Sequence, residues 1–127
     1  MADVARALAP LVENGAILTL EGNLGAGKTA LARALIRELC HDPQLDVPSP
    51  TFTLVQTYND EKIWHFDFYR LKHPEEIFEL GWEEALAAGR IIILEWGERM
   101  GPYLPATRMQ VTITPQADSS RKVEVRA

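Results

Sequence analysis

Residues Gly22 to Thr29 read G-N-L-G-A-G-K-T, the most specific chemical signal in the chain. Gly22, Gly25 and Gly27 free the backbone for turns that a β-carbon disfavours, so successive N–H groups can converge on one anion. Lys28 offers a cation to the β- and γ-phosphates of a nucleotide, and the Thr29 hydroxyl offers a ligand to Mg²⁺. The expected nucleotide contacts are Gly22, Gly25, Ala26, Gly27, Lys28, Thr29 and Ala30, with a helix N-terminus adding positive potential. A triphosphate site also wants an acid that holds the metal shell or polarises water. Glu95 ends the apolar run Ile91–Leu94, at the kind of carboxyl edge where open α/β sheets collect ligands. Thr29 and Glu95 form the expected metal pair. Asp67 sits in KIWHFDFY on one strand face with His65 and Tyr69, either in the reaction or as a structural partner of Arg70 or His65.

Thr51 and Thr53 follow Pro48 and Pro50. A stiff loop bearing a hydroxyl suits a γ-phosphate sensor, ordered by triphosphate and loosened after hydrolysis. An ordinary turn leading into β-prone threonines accounts for the same residues. Trp96 follows Glu95 and, if the strand continues, faces the opposite side as a core or interface aromatic. His65 could serve as a base, although a strand histidine is more often simply hydrogen-bonded. Cys40, at a helix end, reads as a packed thiol.

The elements that must position these groups follow from periodicity and punctuation. Residues 4–13 have helical spacing with Pro10 as a break, and Asn14-Gly15 is a stop. Residues 16–20 (AILTL) read as a buried strand feeding the glycine loop. KTALARALIREL then forms a helix with Leu31, Leu35 and Leu39 on one face. Residues 52–58 and 62–69 are expected to be strands of a hairpin joined by NDE, with Trp64, Phe66 and Phe68 opposite His65, Asp67 and Tyr69. One or two short helices follow, broken near Gly81 and stopped at Gly89. IIILE (91–95) suits a central parallel strand. GERMGPYLP reads as a loop, and 109–114 and 121–127 as alternating strands. The expected fold is α/β: a P-loop NTPase-like sheet flanked by helices, with mixed parallel and antiparallel strands and a hairpin, in one domain spanning 1–127.

Composition bounds the partners. The net charge of −5 argues against the chain gripping nucleic acid or an anionic membrane alone, so a bound anion needs a local device. The single cysteine fits a reducing cytosol. The opening residues lack a basic segment followed by an apolar core, so no signal peptide is expected, and no apolar run is long enough to span a bilayer. The expected location is cytoplasmic.

In order, the chain carries GNLGAGKT, VPSPTFTLVQTY, HFDFYRL, ELGWEE, IIILEWGER and YLP. This set resembles the TsaE family, small bacterial P-loop ATPases that support threonylcarbamoyladenosine modification of tRNA. The resemblance runs from about Leu18 to Pro105, and the SPTFTLV, HFDFYRL and LEWGE blocks together are not a general P-loop signature. It implies a Mg²⁺-dependent ATPase that binds ATP and ADP and works with TsaB and TsaD, meeting tRNA only through that complex. The modified adenosine lies next to the anticodon in tRNAs reading codons that begin with A. The resemblance also implies that Gly25 through Thr29 bind phosphate and that Thr29 with Glu95 ligates Mg²⁺. Thr51 and Asp67 fall in blocks of the hydrolytic site, and Trp96 in the functional LEWGE block. Lys28, Thr51, Asp67, Glu95 and Trp96 are thus the catalytic set. Asn23 departs from the aspartate frequent in the family. The segment before the first helix is shorter than is common there, which leaves the adenine contacts unassigned; the turn Ser119–Arg121 is placed on the nucleotide side. A small-molecule P-loop kinase is the alternative, but such an enzyme usually carries an arginine-bearing lid and none is visible. A guanine-reading N-K-x-D motif is absent too, against a GTPase switch.

Overall fold

Why the acids meet the glycine loop is a matter of strand order. The computed structural model describes residues 1–23 and 27–127. β1 (Ile17–Glu21) is flanked by β4 (Ile91–Glu95) and β5 (Met109–Pro115), and β3 (Ile63–Asp67) lies beyond β4, all four parallel. β2 (Val55–Tyr58) and β6 (Arg121–Arg126) add to the two edges as antiparallel partners of β3 and β5. The order is β2-β3-β4-β1-β5-β6, the mixed α/β sheet expected from the sequence. Because β1, β3 and β4 run parallel, their carboxyl ends, Glu21, Asp67 and Glu95, share one edge of the sheet.

Helices cover both faces. α1 (Ala2–Leu8) and α2 (Lys28–Leu39) pack Ala5, Leu8, Leu31, Ala32, Leu35 and Ile36 against Leu18, Leu20, Ile63, Ile93 and Val111. Each large aliphatic side chain fully buried there contributes about 1.5–3 kcal/mol. The second face carries a 3₁₀ segment, Pro74–Leu80, and α3 (Trp82–Ala87), which pack Ile77, Trp82 and Ala85 on Trp64, Phe66, Ile92 and Leu94. Strand parity sorts the residues: Ile63 and Ile93 face α2, whereas Trp64, Phe66, Ile92 and Leu94 face away. His65, Asp67 and Glu95 therefore fall on the α2 side, in step with Ile63 and Ile93.

Local boundaries differ from expectation where backbone strain intervenes. The first helix stops at Leu8, and Ala9–Leu11, with Pro10 inside, tightens to 3₁₀. The strand expected over 52–58 begins only at Val55. Leu54 is left-handed (φ 69°), its N–H donating to Pro50 O at 2.7 Å, so the residues before it form a turn instead of a ladder. The strand expected over 62–69 ends at Asp67, although Phe68 N–H still donates to Glu95 O at 3.0 Å. GERMGPY is two 3₁₀ turns joined at Gly101. Gly81 (φ 86°) separates the two helical pieces as expected. A β-carbon there would lie 3.0 Å from the Trp64 ring, so both conformation and space require glycine. Among the described residues no helix is long and apolar enough to cross a membrane.

Candidate active site

β1 delivers the chain to the glycine loop and α2 receives it. Gly27 caps α2 in a left-handed conformation (φ 104°), which a residue with a β-carbon would adopt only under strain. Lys28, first residue of the helix, is only 5% exposed. Its Nζ donates to Gly22 O at 2.6 Å and stands 3.6 Å from the centre of the Trp96 ring. Burial holds the Lys28 ammonium below the usual lysine pKa, opposed by the charges of Glu95, Glu98 and Asp67. Of the expected nucleotide contacts, Gly25 and Ala26 lie outside the described residues. Gly27, Lys28, Thr29 and Ala30 all line one cleft of about 320 Å³ together with Thr51, Asp67, Tyr69, Glu95 and Trp96.

The Thr29 hydroxyl donates to Glu95 Oε1 at 2.7 Å, although 66 residues separate them. Glu95 is 1% exposed, and its second oxygen meets His65 Nε2 at 2.7 Å. A buried carboxylate is tolerable only when its oxygens are paired, and here both are. His65 is fully buried and its Nδ1 has no hydrogen-bond partner. With Nε2–H donating to the carboxylate, the neutral tautomer leaves Nδ1 a bare lone pair, whereas an imidazolium would strand a buried N–H. The expectation that a strand histidine is simply hydrogen-bonded agrees with this contact.

Asp67 pairs with Glu95 across β3 and β4. Its Oδ2 accepts the Thr51 hydroxyl at 3.2 Å and its Oδ1 the Tyr69 N–H at 3.0 Å. Burial is the largest influence on Asp67 and pushes its pKa up. The Tyr69 N–H opposes this, the Glu95 charge adds to it, and Thr51 and His65 oppose it. Neither Arg70 nor His65 is hydrogen-bonded to Asp67 among the described residues; Arg70 instead stacks on the exposed Phe52 at 4.5 Å. Of the two loop threonines, only Thr51 enters the cleft. Thr53 Oγ1 accepts from Gln56 at 3.1 Å. The same strand edge thus carries two buried acids that both line the cleft, Glu95 held by the Thr29 hydroxyl and His65, Asp67 by the Thr51 hydroxyl and the Tyr69 N–H.

For Trp96, only the orientation expected on a continuing strand is overturned. The strand does not continue through it: Trp96 is left-handed (φ 60°, ψ 42°) and begins the turn at Gly97. Its ring therefore swings to the Glu95 side and forms a cleft wall over Lys28, 5.0 Å from the Tyr69 ring. A bulky residue pays roughly 1–2 kcal/mol for that conformation, a strain of the kind stored at functional sites. Tyr69 and His65 are the contacts that residue types alone did not assign; for Tyr69 the signal was its place two residues past Asp67.

Comparison with known proteins agrees with the fold and the motif set. The family described as threonylcarbamoyl adenosine biosynthesis protein TsaE matches residues 1–123. A TsaE from Rickettsia felis is 41% identical over 120 residues, covering 93% of this chain and 69% of that protein. One from Treponema pallidum is 34% identical and covers 91% of this chain and 84% of the relative. The crystal structure of YdiB from Bacillus subtilis superposes with a TM-score of 0.74 at 29% identity, over 96% of this chain and 74% of YdiB. On the family match and these relatives, the chain belongs to the TsaE family of tRNA threonylcarbamoyladenosine biosynthesis proteins.

Proposed function

We propose that the cleft binds ATP and ADP with Mg²⁺ and hydrolyses ATP, slowly in the isolated chain and faster with TsaB and TsaD. Residues 1–127 act as one P-loop ATPase domain, located in the cytoplasm. The observation that carries this reading is the 2.7 Å contact between the Thr29 hydroxyl and Glu95, which places two oxygen donors side by side next to a buried lysine. Mg²⁺ prefers such hard oxygen ligands, one or two from protein beside phosphate oxygens and water. When bound, it would neutralise charge on the β- and γ-phosphates.

The chain's own residues supply the remainder. Lys28 leaves the Gly22 carbonyl to meet phosphate oxygens, and the exchange of one oxygen acceptor for a charged one favours the triphosphate state. Glu95 keeps its orientation because His65 holds the far oxygen. Asp67, once ionised, accepts a hydrogen from the attacking water, and Thr51 ties the loop to that carboxylate. Trp96 and Tyr69 wall the cleft from solvent. An acidic chain leaves the tRNA to its partners. The test is turnover of ATP by the isolated chain against turnover with TsaB and TsaD. The expected result is stimulation, with phosphate as the product. A phosphorylated small molecule formed without those partners would overturn the reading in favour of a kinase.

A further inference from the structure

The turn after β4 brings one more cation to the cleft wall. Trp96 is left-handed, and the chain then enters the 3₁₀ turn that begins at Gly97. Arg99 N–H donates to Trp96 O at 3.1 Å. Residues three apart eclipse in such a turn, so Arg99 stacks over the wall that Trp96 begins. Its guanidinium carbon lies 5.6 Å from the centre of the Tyr69 ring and 6.0 Å from that of Trp96. Arg99 is exposed, and among the described residues no carboxylate lies within ion-pair distance of it.

Charge and position both aim this cation at a ligand. Among the described residues that line the cleft, Lys28 is the only cation, and it shares the space with the carboxyls of Asp67 and Glu95. One buried lysine and one divalent metal do not balance a triphosphate added to those acids. Position narrows the choice of phosphate. Tyr69 N–H holds Asp67 Oδ1 at 3.0 Å, and the Trp96 ring stands 3.6 Å from Lys28 Nζ. Arg99 thus rests on the two rings that adjoin the acid assigned to the attacking water and the lysine assigned to the β- and γ-phosphates. A terminal phosphate lies between those two groups.

We propose that Arg99 is a nucleotide-binding residue that contacts the terminal phosphate of the bound triphosphate. This rests on the proposed ATP site. An exposed cation–π contact is weak, whereas a guanidinium offers phosphate oxygens a planar fork of charge-assisted hydrogen bonds. The γ-phosphate therefore draws Arg99 from the rings, and ADP leaves it there. Lys28 serves both nucleotides, and Arg99 only the triphosphate.

The test is calorimetric titration of the full chain in Mg²⁺ with ADP and with an ATP analogue whose β–γ bridge resists hydrolysis; melting curves confirm folding. Arg99→Ala is expected to weaken the analogue about tenfold and to leave ADP within twofold of the wild type. Arg99→Lys is expected to fall between, because it keeps the charge but loses the fork. An equal loss for ADP overturns the assignment, since the guanidinium would then meet the inner phosphates or the nucleoside. Unchanged analogue affinity in folded Arg99→Ala, beside a wild type that binds both ligands, overturns the role of Arg99 alone. A wild type that binds neither ligand overturns the ATP site itself.

Discussion

The His65–Glu95 contact allows one perturbation to be worked through. His65→Leu keeps much of the bulk and removes the donor to Glu95 Oε2, which stands at 2.7 Å with both side chains buried. Losing a hydrogen bond to a charged group costs about 1.5–3 kcal/mol. Leucine also removes the partnerless Nδ1, recovering on the order of 1 kcal/mol of desolvation cost. The balance is a net loss of about 0.5–2 kcal/mol, or a fall in Tm of roughly 2–8 °C for a chain of this size. The second effect falls on the metal. Without its far oxygen held, Glu95 is free to turn from Thr29, and loss of such an orienting partner typically costs 10–100-fold in metal affinity. The assay is nucleotide binding and turnover against Mg²⁺ concentration, beside thermal melting. His65→Gln, whose amide can donate to the same oxygen, should recover part of the Mg²⁺ response. A His65→Leu protein that melts early yet keeps the wild-type Mg²⁺ midpoint would refute the positioning argument, since packing alone would then explain the histidine.

Glu95→Gln keeps the shape and removes the charge; Mg²⁺-dependent hydrolysis should fall about a hundredfold with little change in melting, and unchanged turnover would pass the metal role to Asp67. Asp67→Asn separates stability from activity. Burial raises the Asp67 pKa, so its contribution to stability is full below the ordinary carboxylate range and is lost as pH rises through the raised value. Denaturant melts should therefore show Asp67→Asn gaining on the wild type between acid and neutral pH, while phosphate release falls. No such pH-dependent gain would contradict the burial argument. Gly81→Ala forces a β-carbon into a left-handed residue 3.0 Å from the Trp64 ring; a loss of at least about 1–2 kcal/mol is expected in urea, and a smaller one would mean that the Trp64 ring gives way.

Local chemistry alone exposes much of this protein. The glycine spacing, the strand before it and the helix after it are properties of neighbouring residues, and the strand and the helix appear where expected. Alternation in KIWHFDFY and the apolar run IIILE likewise placed Asp67 and Glu95 on the correct elements and faces, because side-chain direction repeats every two residues along any strand. The six blocks in order carried the family.

What periodicity does not encode is the meeting of distant segments and the exceptional dihedral. His65 and Glu95 are 30 residues apart, and Thr29 and Glu95 are 66 apart. Their contacts exist only because β3, β4 and β1 run parallel in that order, with α2 over the same face. The Thr51 loop reads equally as sensor or turn until Leu54 adopts a left-handed angle and delivers one of its threonines to Asp67. Trp96 shows the limit most plainly. Strand alternation sends it away from Glu95, and a single left-handed residue returns it to the cleft, a dihedral that the alternation of LEWGE does not encode. The residue types and the phosphate loop follow from the chain as written; the grouping of Lys28, Thr29, Thr51, Asp67, Glu95 and Trp96 around one cleft follows only from strand order and two strained turns.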